Sequence, residues 1–122
     1  MVDLPPPEVL QVDDITVVAP GKEYEHIYEN MLPAFEGLLE IGRTANPPLL
    51  LVDLGQTRHV GSAFLGFLMR LSDSVTSRTG GRFGICCPTP FCLTVIKTMR
   101  MDNVWEIFTT REEAVAALAT EK

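Results

Sequence analysis

The segment LLLVDL, residues Leu49–Leu54, decides the fold class of this chain. It is a nearly continuous apolar run that lies between the pair Pro47-Pro48 and Gly55. A run of this kind is typical of a strand that is covered on both faces in the interior of a sheet. We therefore predict that Leu49–Leu54 is a central strand with helices packed against it.

Strand and helix patterns precede this segment. Val9–Val12 and Ile15–Ala19 are short and β-branched, which predicts a two-stranded hairpin. Apolar residues then recur at three- and four-residue steps, which predicts a helix from Glu25 to Ile41 that is kinked, or starts late, at Pro33. We expect Gly42 to cap the end of that helix.

Helix and strand patterns also alternate after the segment. They predict a helix from Ser62 to about Arg78, a strand Arg82–Cys87, a helix that starts at Pro90, a strand Val104–Phe108 and a terminal helix that ends near Ala119. Ser62 and Thr89 are residue types that cap helix starts, and Pro90 suits a first helical position. The side chains expected to face inward from the third helix are Phe91, Val95, Ile96 and Met99.

The resulting order, β-β-α-β-α-β-α-β-α, is typical of an α/β protein. We predict one domain over residues 1–122, with an extended leader at 1–8. Its core is expected to be a central, mixed, largely parallel sheet of four to five strands with about four helices. Function gathers at the carboxyl ends of the strands in such sheets, and here that edge includes the turn Gly55–Gly61 and Ser62.

Composition excludes several classes of partner. The chain has 10 Lys and Arg against 16 Asp and Glu, a formal net charge of −6. A nucleic-acid surface needs clustered basic residues, so nucleic acid is not an expected partner. Residues 1–7 do not form a secretory signal, and no apolar run approaches the ~20 residues that span a bilayer. We therefore expect a cytoplasmic protein without direct membrane insertion, whose three cysteines are free thiols.

Several motifs follow a known pattern, in order and with compatible spacing. They are Asp53-Leu54 at a strand end, the helix opening Gly61-Ser62-Ala63-Phe64-Leu65-Gly66, the helix start Pro88-Thr89-Pro90, the segment Met101-Asp102-Asn103-Val104-Trp105-Glu106-Ile107-Phe108, and Glu112-Glu113-Ala114. With these motifs the stretch from Leu49 to Leu118 resembles the STAS family of bacterial anti-sigma-factor antagonists. The family opens the helix with Asp-Ser-Ser-Gly, so the present chain keeps the first serine of that signature, as Ser62.

The resemblance implies a STAS-type fold and a regulator that binds protein partners rather than an enzyme. In the family the first signature serine is phosphorylated by a partner kinase, and that position is Ser62 here. The implied partners are an anti-sigma factor that is also a serine kinase, and a phosphatase that resets the switch; no cofactor is implied. The partner-binding residues implied are Arg58, His59, Gly61, Ser62, Ala63 and Phe64.

The resemblance also leaves a second function open. STAS-like domains serve as scaffold subunits of regulatory or lipid-transport complexes, where no phosphorylation is needed. Gly61, Ala63 and Phe64 depart from the phosphorylation signature, and these departures favour such a scaffold.

A third function is enzymatic, with Cys92 as a nucleophile. A thiol near a helix N-terminus can have a lowered pKa, although the commoner role of cysteine is that of a small buried apolar residue. The sequence places no histidine or carboxylate beside Cys92 to activate it. His26 and His59 have no metal-ligand spacing with the cysteines, so no metal site is predicted.

Overall fold

The computed structural model describes residues 4–119 of the chain. In chain order its elements are β1 (Glu8–Val12), β2 (Ile15–Ala19), β3 (His26–Ile27), α1 (Leu38–Thr44), β4 (Leu49–Asp53), β5 (His59–Val60), α2 (Ser62–Thr76), β6 (Arg82–Cys86), α3 (Pro90–Thr98), β7 (Glu106–Phe108) and α4 (Arg111–Ala119). Short 3-10 helices lie at Lys22–Tyr24, Glu29–Phe35 and Met101–Asn103. The first three residues of the predicted leader lie outside the described residues, and β1 already begins at Glu8.

A five-stranded sheet in the order β1-β2-β4-β6-β7 forms the centre of the molecule. Only β1 and β2 are antiparallel, and the remaining pairs are parallel. The predicted central strand is confirmed, because Leu50 pairs with Thr16 on one side and with Phe83 on the other. Leu50 and Leu51 are both 0% exposed. The expected mixed, largely parallel sheet is therefore present.

Side chains of β4 alternate between two apolar layers. Leu50 and Val52 face the larger layer, which α1, α2 and α3 cover. Leu51 faces the smaller layer, which the α4 residues Ala114 and Leu118 cover. Each fully buried leucine contributes about 1.5–3 kcal/mol relative to an exposed one, so the segment that decides the fold also anchors both layers.

The continuous helix predicted from Glu25 to Ile41 is wrong. Regular helix begins only at Leu38, after the 3-10 helix Glu29–Phe35 that contains Pro33. Proline has no N–H to donate and its ring clashes with the carbonyl four residues earlier, so an α-helix cannot pass through this point undisturbed. The alternative of a late helical start is confirmed, and the residues before it instead supply the short strand β3.

The role predicted for Gly42 is also wrong. Gly42 lies inside α1 and is buried against α2, and a Cβ atom there would stand 1.8 Å from the Ser74 Oγ. Its lack of a side chain therefore lets α1 and α2 approach closely, rather than ending the helix.

The inward face predicted for the third helix is partly wrong. Cys92 and Ile96 are the buried residues of α3, each 1% exposed, whereas Phe91 and Met99 are each 44% exposed. The last strand starts at Glu106, two residues later than predicted, because Met101–Asn103 form a 3-10 turn before it. Among the described residues, no helix is both long enough and apolar enough to cross a membrane.

Candidate functional site

The junction between β5 and α2 carries the predicted site. β5 pairs with β3 in a separate two-stranded parallel sheet, which sets His59 opposite His26 and Val60 opposite Ile27. The Gly61 N–H then donates to the Ile27 carbonyl at 3.1 Å, which extends this pairing to the start of the helix. The backbone on which the site stands is therefore fixed by hydrogen bonds on both sides of His59.

Ser62 is exposed and is the first residue of α2, so the prediction that it caps the helix is wrong. Gly61 occupies the N-cap position in an extended conformation and makes no side-chain cap. The first N–H groups of a 15-residue helix thus meet no side-chain acceptor at this end. Partial positive charge gathers at such a terminus, and a phosphate on Ser62 would lie beside it.

The Phe64 side chain is not available to a partner, contrary to the sequence prediction. It is 1% exposed and packs edge-on against Phe35, with ring centroids 5.5 Å apart. The third residue of a helix lies on a different face from the first, since successive residues are about 100° apart around the axis. Phe64 therefore secures α2 to the core below Ser62.

His59, which precedes Ser62 in the chain, belongs to a row of four rings, and the sequence prediction identified only this one of the four. His26 stacks on Tyr28 with ring centroids 6.3 Å apart, and on His59 with centroids 4.9 Å apart. Phe91, at the start of α3, meets His59 edge-on at 4.9 Å. We call Tyr28, His26, His59 and Phe91 the aromatic row. Tyr28 and Phe91 at its ends are 56% and 44% exposed.

Two contacts hold the middle of the aromatic row. The Nδ1 atoms of His26 and His59 are 3.0 Å apart, which is hydrogen-bond distance. The Glu25 carbonyl accepts hydrogen bonds from the backbone N–H groups of Arg58 and His59, at 2.7 and 3.2 Å. The Arg58 guanidinium also lies 3.7 Å from the Glu25 carboxylate, but this pair is exposed and contributes little stability.

Thr57, which is 0% exposed, anchors the turn before β5 to α3. Its carbonyl accepts hydrogen bonds from the Thr89 hydroxyl at 2.8 Å and from the Cys92 thiol at 3.4 Å. Thr89 stands at the N-cap position of α3 as predicted, yet its side chain is used for this long-range bond instead of capping. These bonds fix the start of α3, and with it Phe91, against the turn that carries Arg58.

The environment of Cys92 disfavours a nucleophilic role. Burial raises the pKa of the Cys92 thiol, which outweighs the lowering that the nearby Thr89 side chain causes. The lowered pKa that an attacking thiol needs is therefore not produced by the start of α3. Cys92 packs in the larger apolar layer as a small buried residue.

A second group of polar side chains lies at the ends of β4 and β6, under α4. The ligand atoms of Asp53, Cys86 and Cys87 are within 4.8 Å of one another. Both carboxylate oxygens of Asp53 are already engaged, one by the Arg111 Nε at 2.9 Å and the other by the Gly55 N–H at 2.8 Å. Burial and the Asp53 carboxylate raise the pKa of both thiols. The group therefore joins α4 to β4 by an ion pair beside neutral thiols.

Solved structures of two anti-sigma-factor antagonists are similar to this chain. A STAS domain protein of that description from Planctomyces limnophilus matches with a TM-score of 0.88 and 24% identity, over 95% of this chain and 99% of its own. An anti-sigma factor antagonist from Mycobacterium paratuberculosis matches with a TM-score of 0.79 and 24% identity, over 93% of each chain. No family model matches the sequence, and no curated protein matches it either. The STAS-type fold expected from the resemblance is confirmed.

Proposed function

We propose that this protein is a regulator of the anti-sigma-factor-antagonist kind, which acts by binding an anti-sigma factor in the cytoplasm of a bacterial cell. The observation that carries the proposal is the position of Ser62, exposed at the first residue of α2 and directly after β5, whose His59 belongs to the aromatic row. Two proteins that share the fold over more than 90% of this chain are described as anti-sigma factor antagonists. Such a regulator needs no catalytic group and no cofactor of its own.

The proposed docking surface combines residues from the sequence prediction with residues that the structure adds. Arg58, His59, Gly61, Ser62 and Ala63 remain from the prediction, and Phe64 leaves the set because its side chain is buried. Tyr28 and Phe91 join it as exposed aromatic side chains on either side of the histidines. Exposed aromatic residues are frequent among those that dominate binding energy at protein interfaces, so the aromatic row is suited to this role.

Phosphorylation of Ser62 is the proposed switch. A phosphate adds about −1.5 to −2 charge at pH 7, on a surface where the charge of Arg58 is already offset by the Glu25 carboxylate at 3.7 Å. An acidic or apolar partner surface would then be repelled. The proposed kinase is the anti-sigma factor itself, acting with ATP, and a phosphatase would restore the binding form.

A scaffold subunit without phosphorylation is the second candidate function. Gly61 and Ala63 favour it, because the family signature has an acid and a second serine at these two positions. Phe64 no longer favours it, since a side chain buried under the helix leaves the docking surface unobstructed. A scaffold would bind its partner regardless of charge at position 62.

The test is calorimetric titration of an anti-sigma factor kinase from the source organism into wild type, Ser62→Asp and Ser62→Ala. We expect Ser62→Asp to weaken binding by at least about tenfold, roughly 1.4 kcal/mol, and Ser62→Ala to bind as wild type does. Ser62 is exposed and is not the cap, so Ser62→Ala should change the free energy of unfolding by less than about 0.5 kcal/mol.

Thr110→Ala supplies the matched control for folding. The Thr110 hydroxyl accepts a hydrogen bond from the Glu113 N–H at 3.1 Å, as a capping side chain does, so its loss should cost about 1 kcal/mol. Equal affinity of wild type and Ser62→Asp, with both folded, would reject the switch and leave the scaffold. Failure of all three proteins to bind the kinase would reject the antagonist function itself.

A further inference from the structure

The central pair of the aromatic row has the spacing of two ligands on one metal ion. We propose that His26 and His59 bind a divalent transition-metal ion of the Cu²⁺, Ni²⁺ or Zn²⁺ class through their Nδ1 atoms. Two imidazole nitrogens at ~2.0–2.1 Å from one ion, at an angle of roughly 90–109°, are about 2.8–3.4 Å apart. The two Nδ1 atoms here are 3.0 Å apart.

The backbone places the two histidines opposite each other before any ion arrives. His26 and His59 are register partners in the β3–β5 ladder, so their side chains leave the same face of the small sheet. The hydrogen bonds from Arg58 and His59 to the Glu25 carbonyl hold the two strands together at this point. Ligands that are already positioned lose little conformational entropy on binding, which favours affinity.

The neighbouring rings orient the two imidazoles. Tyr28 stacks on the outer face of His26, with planes 5° apart, and Phe91 meets His59 edge-on. The rings of His26 and His59 are themselves within 5° of parallel, and their Nδ1 atoms are 3.0 Å apart. At an N–metal–N angle of roughly 90–109°, each lone pair must turn to about 35–45° from the line that joins the two Nδ1 atoms, and rotation about χ2 of each ring supplies this turn. Since His59 is exposed, water can fill the remaining coordination positions.

Binding of the ion at this pair needs no added proton donor or acceptor. A hydrogen bond between the two Nδ1 atoms requires a proton on one of them and none on the other. When the ion binds, that proton moves through solvent to Nε2 of the same ring, so both Nδ1 atoms coordinate and no net proton is released. The positive charge of Arg58, the cation nearest in sequence, is offset by the Glu25 carboxylate at 3.7 Å.

The group at Asp53, Cys86 and Cys87 is a weaker candidate for the same ion. Cys86 is 0% exposed, and Arg111 already holds the Asp53 carboxylate. An ion would have to displace that guanidinium, whereas at the histidine pair it replaces one shared proton. This comparison makes the cysteine group the natural alternative to exclude by experiment.

The test uses CuCl₂ alone, with the tag-free protein and no partner, so it does not rest on the proposed function. We expect calorimetry to give one Cu²⁺ site in wild type, and electron paramagnetic resonance to show coupling to two imidazole nitrogens. His26→Ala and His59→Ala should each weaken Cu²⁺ binding by at least tenfold. His59→Phe, which keeps the ring and its stacking but no nitrogen, should weaken it equally.

Two variants keep both histidines and serve as controls. Val104→Ala removes an exposed apolar side chain that does not contact the pair, and the double variant Cys86→Ser/Cys87→Ser removes the alternative ligands. Both should retain the wild-type nitrogen coupling and an affinity within about threefold of wild type. Circular dichroism checks that each variant is folded. Unchanged affinity in both His59→Phe and His59→Ala, or loss of binding in the double cysteine variant alone, would overturn the proposal.

Discussion

At the scale of single residues, burial controls the chemistry of the thiols. Cys86 and Cys92 are 0% and 1% exposed, and burial is the largest cause that raises the pKa of each. Cys87 is partly exposed and its pKa is raised for the same reason. The folded state therefore holds thiol protons more tightly than the unfolded chain does. The stability that this contributes is complete below the ordinary thiol pKa of ~8.5 and is lost as the pH rises above it.

We accordingly expect the free energy of unfolding to fall between pH 8.5 and 9.5, by up to about 1.4 kcal/mol per pH unit for each protonated thiol. Cys86→Ala removes the thiol with the strongest shift and should flatten this fall. The measurement is urea unfolding with reductant at pH 7.5, 8.5 and 9.5. Parallel pH profiles of wild type and Cys86→Ala would contradict the assignment.

Single residues also show where sequence reasoning reaches its limit. The signature position of Ser62 could be read from the motif, since an exposed helix start needs only local information. The burial of Phe64 and the exposure of Phe91 could not be read in this way, because both depend on the rotation of a helix against its neighbours. An error of one position turns a side chain by about 100°, which exchanges the buried and exposed faces.

At the scale of elements, length decided which predictions succeeded. β4 was predicted because its five residues lie in a nearly continuous apolar run, and α2 because its fifteen residues carry a clear helical period. β3 and β5 have only two residues each, too few for any period, and they form because their backbones pair with each other. His26 and His59 lie on these two strands, so the sequence predicted His59 as a site residue but not its pairing with His26.

Gly66, in α2, and Gly81, in the turn that follows α2, should show opposite changes in the free energy of unfolding when each is replaced by alanine. Gly66 lies inside α2 and a Cβ there meets nothing within 4 Å, so Gly66→Ala should stabilise the fold by about 1 kcal/mol through helix propensity. A Cβ on Gly81 would stand 1.8 Å from the Val75 carbonyl oxygen, which is backbone and cannot rotate away. Gly81→Ala should therefore destabilise by about 1–3 kcal/mol.

Urea unfolding of the two glycine variants measures both effects under identical conditions. Gly66→Ala controls for the chemical change itself, since both variants add one methyl group. A Gly81→Ala protein as stable as wild type would show that the turn after α2 can shift to make room.

At the scale of the whole molecule, α3 separates two exposed apolar side chains, Phe91 and Val104. It starts beside β5 with Phe91, at the carboxyl edge of the parallel sheet, and runs back to the 3-10 turn at Met101–Asn103. Its nine residues span ~13 Å. Val104, 65% exposed, follows that turn at the opposite edge. The fold thus provides an apolar side chain inside the proposed docking surface and another outside it.

This arrangement allows the location of docking to be tested apart from the switch at Ser62. Phe91→Ala should weaken binding of the anti-sigma factor kinase by about tenfold to thirtyfold, roughly 1.4–2 kcal/mol, because an exposed aromatic side chain within an interface loses most of its contact area on truncation. Val104→Ala removes a comparably exposed apolar side chain at the far edge and should leave the affinity unchanged. Calorimetric titration measures both, with thermal melts to confirm that each variant is folded. Equal losses from the two variants would mean that the partner does not dock at the carboxyl edge, because only a surface that includes the start of α3 distinguishes Phe91 from Val104.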